Sequence, residues 1–257
     1  LKKRLRSIGN SLAPAAFLVV LGCLWEAAVR VFAIKGYILP APSAIWSALV
    51  RRFPLLMEHS KVTILEAALG LGISIAVALV LAVLLNRFAL LKRLLYPVFV
   101  ISQTIPIIAL APVMMIWFGV GTLPKILIVI LVCFFPIVVS ITEGLGAVDQ
   151  DLINLMRVMG AGNWKILTAV QLPAALPSFF AGLRIAAAYS VMGAVIGEWL
   201  GGSKGLGVFM IRSTNSFQTD SVFASIAVVV TLSILVFLAV EGAARLVMPW
   251  QRVKSEE

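Results

Sequence analysis

Residues 151–177, DLINLMRVMGAGNWKILTAVQLPAALP, decide how this chain is read, because they form the longest polar-containing interruption in the second half of an otherwise apolar sequence. The segment reads as two short helices broken at Gly160-Ala161-Gly162-Asn163, and it ends in two prolines, Pro173 and Pro177. Glycine at the break has a physical reason: a helix that stops and turns sharply needs a residue that takes φ > 0 without penalty. Apolar runs long enough to cross a bilayer flank the segment on both sides. The expected structure is a folded plug on a membrane surface, available for docking.

Composition sets the class around it. Hydrophobic residues make up 61% and charged residues 12% of the 257 positions, with a mean hydropathy of +1.08. A soluble domain carries about twice that charged fraction. The chain is therefore read as an all-α, polytopic membrane protein, with room for about six spans and no water-soluble domain. The net charge of +10 does not point to nucleic acid, since the 21 Lys and Arg residues sit at loop ends without interleaved aromatics. Anionic lipid is the expected counter-charge. Both cysteines, Cys23 and Cys133, fall inside apolar runs and read as packed thiols.

Outward from the central segment, the expected spans are residues 12–34, 63–85, 95–118, 125–142, 178–200 and 222–247. The first is too long for a secretory h-region and lacks a small-residue cleavage site, so it is read as retained. Glu26 and Arg30, four apart, are expected to pair. Residues 36–43 form a proline-stiffened turn in which Ser43 is a candidate cap for an interfacial helix over 44–53. A short basic turn over 87–93 and a loop over 201–220 are also expected. The third span carries Gln103, Thr104, Pro106 and Pro112 at mid-membrane. Proline there is tolerated only beside protein or a wet cavity, so this helix is expected to line one. With the N-terminus placed in the cytoplasm, twelve Lys and Arg residues fall on that side and seven on the other. The excess favours both termini inside, which puts 151–177 in the cytoplasm.

Several chemistries are set aside. Gly201-Gly202-Ser203-Lys204-Gly205 fits G-x-S-x-G, but a nucleophile elbow needs a strand-turn-helix setting. The single histidine, His59, is expected in a loop, so Ser203 lacks a base. No P-loop or metal-ligand spacing occurs in the sequence.

One further pattern spans most of the chain. Gly160, nine residues, then Val170-Gln171-Leu172-Pro173 resembles the EAA loop (E-A-A-x3-G-x9-I-x-L-P) of the permease subunits of bacterial ATP-binding-cassette (ABC) importers. Leu39-Pro40-Ala41-Pro42-Ser43, Pro106 to Pro112, Trp117-Phe118-Gly119, Leu172 to Pro177 and Gly205-Leu206-Gly207 extend the resemblance to the nitrate/sulfonate/taurine/pyrimidine-precursor branch. Asn154-Leu155-Met156 replaces the family's Glu-Ala-Ala, which removes that glutamate's charge.

The resemblance implies a type I importer permease (MetI-like) fold in one domain, 1–257. Within it, 1–62 hold the first span and interfacial helix, 63–247 a five-span core, and 151–177 the cytoplasmic coupling loop. It implies a bacterial inner-membrane homodimer working with two cytoplasmic ATPase subunits and an extracytoplasmic substrate-binding protein. ATP and Mg are bound by the ATPase, with no cofactor in this chain. Asn154, Met156, Arg157, Met159, Gly160, Ala161, Trp164, Leu172 and Pro173 are the expected coupling residues, with Trp164, Met156 and Met159 as the inserted apolar face. For the path, the polar residues of the kinked third and fifth spans are candidates: Gln103, Thr104, Pro106, Tyr189, Ser190 and Glu198. The plainer reading of each polar one is a bond to a neighbouring helix or, for Glu198, hydration at the outer interface. Arg184 reads as a snorkelling or interhelix residue. Gly197 to Gly202, 216–220 and Pro249-Trp250 look most similar to permeases for thiamine-pyrimidine precursors, of hydroxymethylpyrimidine or formylaminopyrimidine type; sulfonate, taurine or nitrate permeases share the framework. The rival from another class is a stand-alone secondary transporter, which needs a coupling-ion site and a repeat of two halves. Neither is visible in the sequence, and a membrane enzyme lacks catalytic partners.

Overall fold

The computed structural model describes residues 2–251, with side chains over 16–250. The described residues are helical and contain no strand. In chain order the helices are α1 (Lys2–Val31), α2 (Pro42–Arg51), α3 (Phe53–Arg87), α4 (Ala89–Ser102), α5 (Ile107–Phe118), α6 (Thr122–Gly146), α7 (Gln150–Val158), α8 (Asn163–Ile166), α9 (Leu172–Gly201), α10 (Leu206–Asn215) and α11 (Thr219–Val247). A π turn, Leu167–Gln171, joins α8 to α9, so the helical path runs unbroken from Asn163 to Gly201.

Among the described residues, four helical segments are long and apolar enough to cross a membrane: α3, α6, the α8–α9 run and α11. The pair α4 and α5 makes a fifth if its two halves count as one broken span. The expected first span falls on α1, part of which lies outside the described side chains.

Several local expectations are corrected. The third span is not one kinked helix, because α4 and α5 meet at 105°. The residue before a proline is driven out of the helical region, and Ile105 precedes Pro106, the N-cap of α5. The basic turn over 87–93 shrinks to Phe88, between α3 and α4. Pro173 does not end the second short helix; the π turn directly before it widens the backbone where its ring would strike the preceding carbonyls. The 201–220 loop contains α10. Ser43 is not a cap: α2 starts with Pro42 at its first position after Ala41, and the Ser43 backbone N–H and hydroxyl donate to Glu26 at 3.0 and 2.8 Å. Cys133 is packed, but Cys23 lies exposed on α1.

The chain forms two compact units, Leu1–Glu58 with Phe209–Val228, and His59–Val208 with Val229–Glu257. In the first unit, Arg30 Nε donates to Glu26 at 2.7 Å, the expected pair. Its two sequence segments are tied by Arg52 donating to Gln218 at 2.6 Å, Thr219 donating to the Tyr37 carbonyl at 2.7 Å, and Trp25 against Phe223.

The second unit is built on α6 against α9. Val129, Cys133, Ile137 and Val138 of α6 pack with Leu183, Ala186, Ala187, Val191 and Ala194 of α9 in one buried cluster. Lipid tails are as apolar as leucine, so such helices associate by close packing, and small residues permit it. At Gly182 a Cβ would lie 2.5 Å from the Pro136 carbonyl oxygen and 2.7 Å from Ser140. Arg184 reaches across to α11, where Nε donates to Glu241 at 2.6 Å, the interhelix option of the two expected.

Candidate functional site

Asp149 caps α7, its side chain accepting from the Asp151 backbone N–H at 2.9 Å. At the other end of α7, Gly160 has φ +80° and donates to the Arg157 carbonyl, while Ala161 donates to the Met156 carbonyl, both at 2.9 Å. These two bonds make a Schellman closure, which satisfies carbonyls the helix end would leave open. The break therefore falls where the sequence places it, between Val158 and Asn163.

Val148, Ile153 and Ile166 bury together, with Met156, Ala161 and Val170 against them. That packing fixes which residues face out. Val158, Met159 and Trp164 are 87%, 74% and 73% exposed, with Leu152 and Leu155 beside them. Of the three residues expected to form an apolar face, Met159 and Trp164 are exposed and Met156 packs inward, while Leu155 and Val158 are exposed beside the first two. Positions 152, 155 and 159 repeat at helical spacing, the signal that could have found them. Asn154, Arg157 and Pro173 are exposed, and Leu172 is half-buried beside Ile141, Leu145 and Leu167. Asn86, at the end of α3, donates to Gln171 at 3.1 Å and ties the turn to a spanning helix.

A second feature is a cavity of about 240 Å³ walled by residues of α4, α5, α6 and α9 and of the turn between α4 and α5. Gln103 and Tyr189 line it, together with Ser102, Phe135, Pro136 and Met192. Pro106 sets the sharp turn beside it. Thr104 donates to the Ile101 carbonyl at 2.7 Å, and Ser190 is buried, donating to the Ala187 carbonyl at 2.8 Å. The structure thus places Gln103 and Tyr189 in the lining of one cavity and leaves Thr104 and Ser190 in local backbone bonds.

Glu198 occupies a third place. It is 1% exposed; Thr63 donates to one carboxylate oxygen at 2.7 Å and the Gly207 backbone N–H to the other at 2.6 Å. Leu206 N–H donates to the same Thr63 hydroxyl at 2.9 Å, and Gly205 N–H to His59 Nδ1 at 3.0 Å. A Cβ on Gly205, which has φ +125°, would run into the Glu198 carboxylate. Nearby in α3 and α6, Lys125 donates to Glu66 at 2.8 Å, with both side chains buried. His59 is in α3, not a loop, and Lys125, one of the seven cations counted on the outer side, is a buried partner of Glu66. The sequence signal for this pair was an acid and a base lodged in apolar runs, but nothing in the sequence joins residues 59 positions apart.

The sequence matches, over residues 68–253, the family described as binding-protein-dependent transport system inner membrane component. A probable ABC transporter permease protein of Haemophilus influenzae is 36% identical over 90% of this chain and 94% of its own. The formylaminopyrimidine transport permease protein ThiX of Halalkalibacterium halodurans is 35% identical, covering 95% and 97%. The taurine transport system permease protein TauC of Escherichia coli is 29% identical, covering 91% and 87%. Among solved structures, a chain of the MetNI methionine ABC transporter in an inward facing conformation aligns with TM-score 0.67 and 22% identity, over 77% of this chain and 98% of that one.

Proposed function

Since this chain belongs to the family of binding-protein-dependent transport system inner membrane components, we propose that a pair of ATPase subunits drives it through the α7–α8 turn to import a pyrimidine precursor of thiamine. The chain is the permease subunit of an ABC importer, a multi-pass membrane protein that is not itself catalytic; ATP hydrolysis belongs to a separate subunit. The finer reading concerns how it is driven and what it carries.

One observation carries the coupling assignment: the apolar ridge Leu155, Val158, Met159 and Trp164 stands exposed on a polar turn whose inner face is already packed. An exposed apolar patch on a rigid helix pair is an interaction surface by default. The ridge seats in a groove of an ATPase, with Arg157 and Lys165 at the rim, in the cytoplasm where both termini also lie. ATP and Mg bind in that partner, and their binding favours one of two conformations of the whole assembly. Motion entering at α8 passes up the continuous helix to α9 and, through Gln171 and Asn86, to α3. Residues 1–257 act as one permease domain, two copies form the path, and Gln103 and Tyr189 lie on it. A binding protein delivers the solute on the opposite side. The higher identity to the formylaminopyrimidine permease than to the taurine permease favours the pyrimidine substrate.

The test is uptake and ATP hydrolysis in liposomes holding the permease, its ATPase and its binding protein. Val158→Asp with Trp164→Asp changes only exposed positions, so the melting temperature should hold while uptake and substrate-stimulated hydrolysis fall at least tenfold. Unchanged coupling in that variant, or uptake without any ATPase, would overturn the reading and favour a stand-alone transporter.

A further inference from the structure

The cavity beside α9 carries chemistry that bears on the choice between pyrimidines and sulfonates. None of its lining residues is charged, and most of its wall is aliphatic or aromatic. An anion entering it would leave water without a counter-charge, which apolar surroundings strongly disfavour. At about 240 Å³ it is smaller than the ~300–1,000 Å³ typical of drug-sized ligands, so it has room for one ring with small substituents.

The polar groups present are specific in kind. Among the described residues, neither the Gln103 amide nor the Tyr189 hydroxyl is engaged in a hydrogen bond within the chain, and both line the cavity. Ser102, by contrast, spends its hydroxyl proton on the Val98 carbonyl at 2.7 Å and offers only acceptor capacity. A carboxamide accepts at its oxygen and donates from its nitrogen side by side. That is the two-point pattern by which glutamine reads the amino group and neighbouring ring nitrogen of adenine. Phe135 supplies an aromatic wall, held by Phe134 at a ring separation of 5.2 Å and by Phe99 at 6.3 Å, and Pro136 continues it. A flat ring therefore finds an apolar surface to lie on and an amide to pair with.

We propose that this cavity is a selectivity site for a single uncharged, planar nitrogen heterocycle bearing an amino group beside a ring nitrogen, and that it excludes sulfonates. The assignment rests on the importer reading above and deepens it, because it gives the permease its own discrimination in addition to that of the binding protein. Gln103 pairs with the amino group and ring nitrogen, Phe135 and Pro136 take the ring face, and Tyr189 holds a ring substituent.

The experiment uses the intact permease–ATPase complex in lipid nanodiscs, without binding protein, titrated calorimetrically with formylaminopyrimidine and separately with taurine. The expected result is saturable binding of the heterocycle and none of taurine. Gln103→Leu should weaken heterocycle binding about tenfold, and Gln103→Arg should weaken it likewise while admitting taurine. Melting curves report whether each variant is folded, and if the arginine variant is not, the leucine variant carries the test. Taurine binding equal to that of the heterocycle, or heterocycle binding indifferent to both substitutions, overturns the proposal. In liposomes with binding protein, normal heterocycle uptake by Gln103→Leu also overturns it but leaves the importer reading standing. Failure of the unaltered system to take up the heterocycle at all defeats the pyrimidine reading itself.

Discussion

The two ends of the helical run from Asn163 to Gly201 invert each other. At its start, α8 and the preceding α7 hold Val158, Met159 and Trp164 outward on a polar turn; at its finish, Glu198 is buried with Thr63, close to the Glu66–Lys125 pair. The first end leaves apolar surface uncovered and the second takes charge out of solvent. Each arrangement is unfavourable in isolation, and each implies a partner. At the Glu198 end the partners are in the chain: both carboxylate oxygens of Glu198 have a donor, and one oxygen of Glu66 has Lys125, the other being buried without one. At the α7–α8 end the apolar side chains have no such cover. The closed end is an internal brace; the open end is the surface on which the proposed ATPase would dock.

The largest effect expected from breaking the comparison lies in the brace. Lys125→Met leaves Glu66 buried beside an apolar side chain, and stranding one member of a buried ion pair costs about 3–5 kcal/mol. Denaturant unfolding of the permease in detergent should show that loss. Replacing both residues, Glu66→Met with Lys125→Met, should recover most of it, since an apolar pair of similar volume avoids both desolvation penalties. If Lys125→Met alone unfolds like the parent, the pair is not a brace.

How much of this was legible beforehand follows from sequence separation. Gly160 announces its break because the turn is local: a helix, one residue with φ +80°, and two bonds spanning four and six residues. Glu26 and Arg30 declare their pairing by being one helical turn apart. Glu198 with Thr63, 135 residues away, is legible only once α3 and α9 are placed side by side. Met156 packs inward for a related reason. Its direction depends on Val148 and Ile166, which meet only after the turn has closed. Pro173 by itself signals a helix stop, and no residue pattern marks the π turn that lets the helix run through it. The 105° break at Pro106 was half-visible, since the sequence called for a kink but did not give its size.

A smaller effect separates geometry from charge at the closed end. Thr63→Val keeps a β-branched side chain in α3 but removes the hydroxyl that donates to Glu198 and accepts from Leu206 N–H. Leaving these groups unpaired costs about 1–3 kcal/mol. The loss should be local: amide exchange at Gly205 to Gly207 should accelerate, while amides of α7 stay as they were. Acceleration spread evenly over both ends would mean that the two are not independent elements.

The smallest effect tests the open end by its backbone alone. Gly160 has clear space around it, with no atom within 4 Å of a Cβ placed there, so Gly160→Ala meets no steric neighbour. What it meets is its own φ of +80°, and an L-residue held in the left-handed region costs about 1–2 kcal/mol. Asparagine tolerates that region better than alanine, so Gly160→Asn should sit between glycine and alanine in melting temperature. The order Gly, Asn, Ala identifies backbone strain as the cause. If alanine and asparagine both matched glycine, the turn would be free to relax, and the transmission proposed from the exposed ridge to α9 would lose its rigid link.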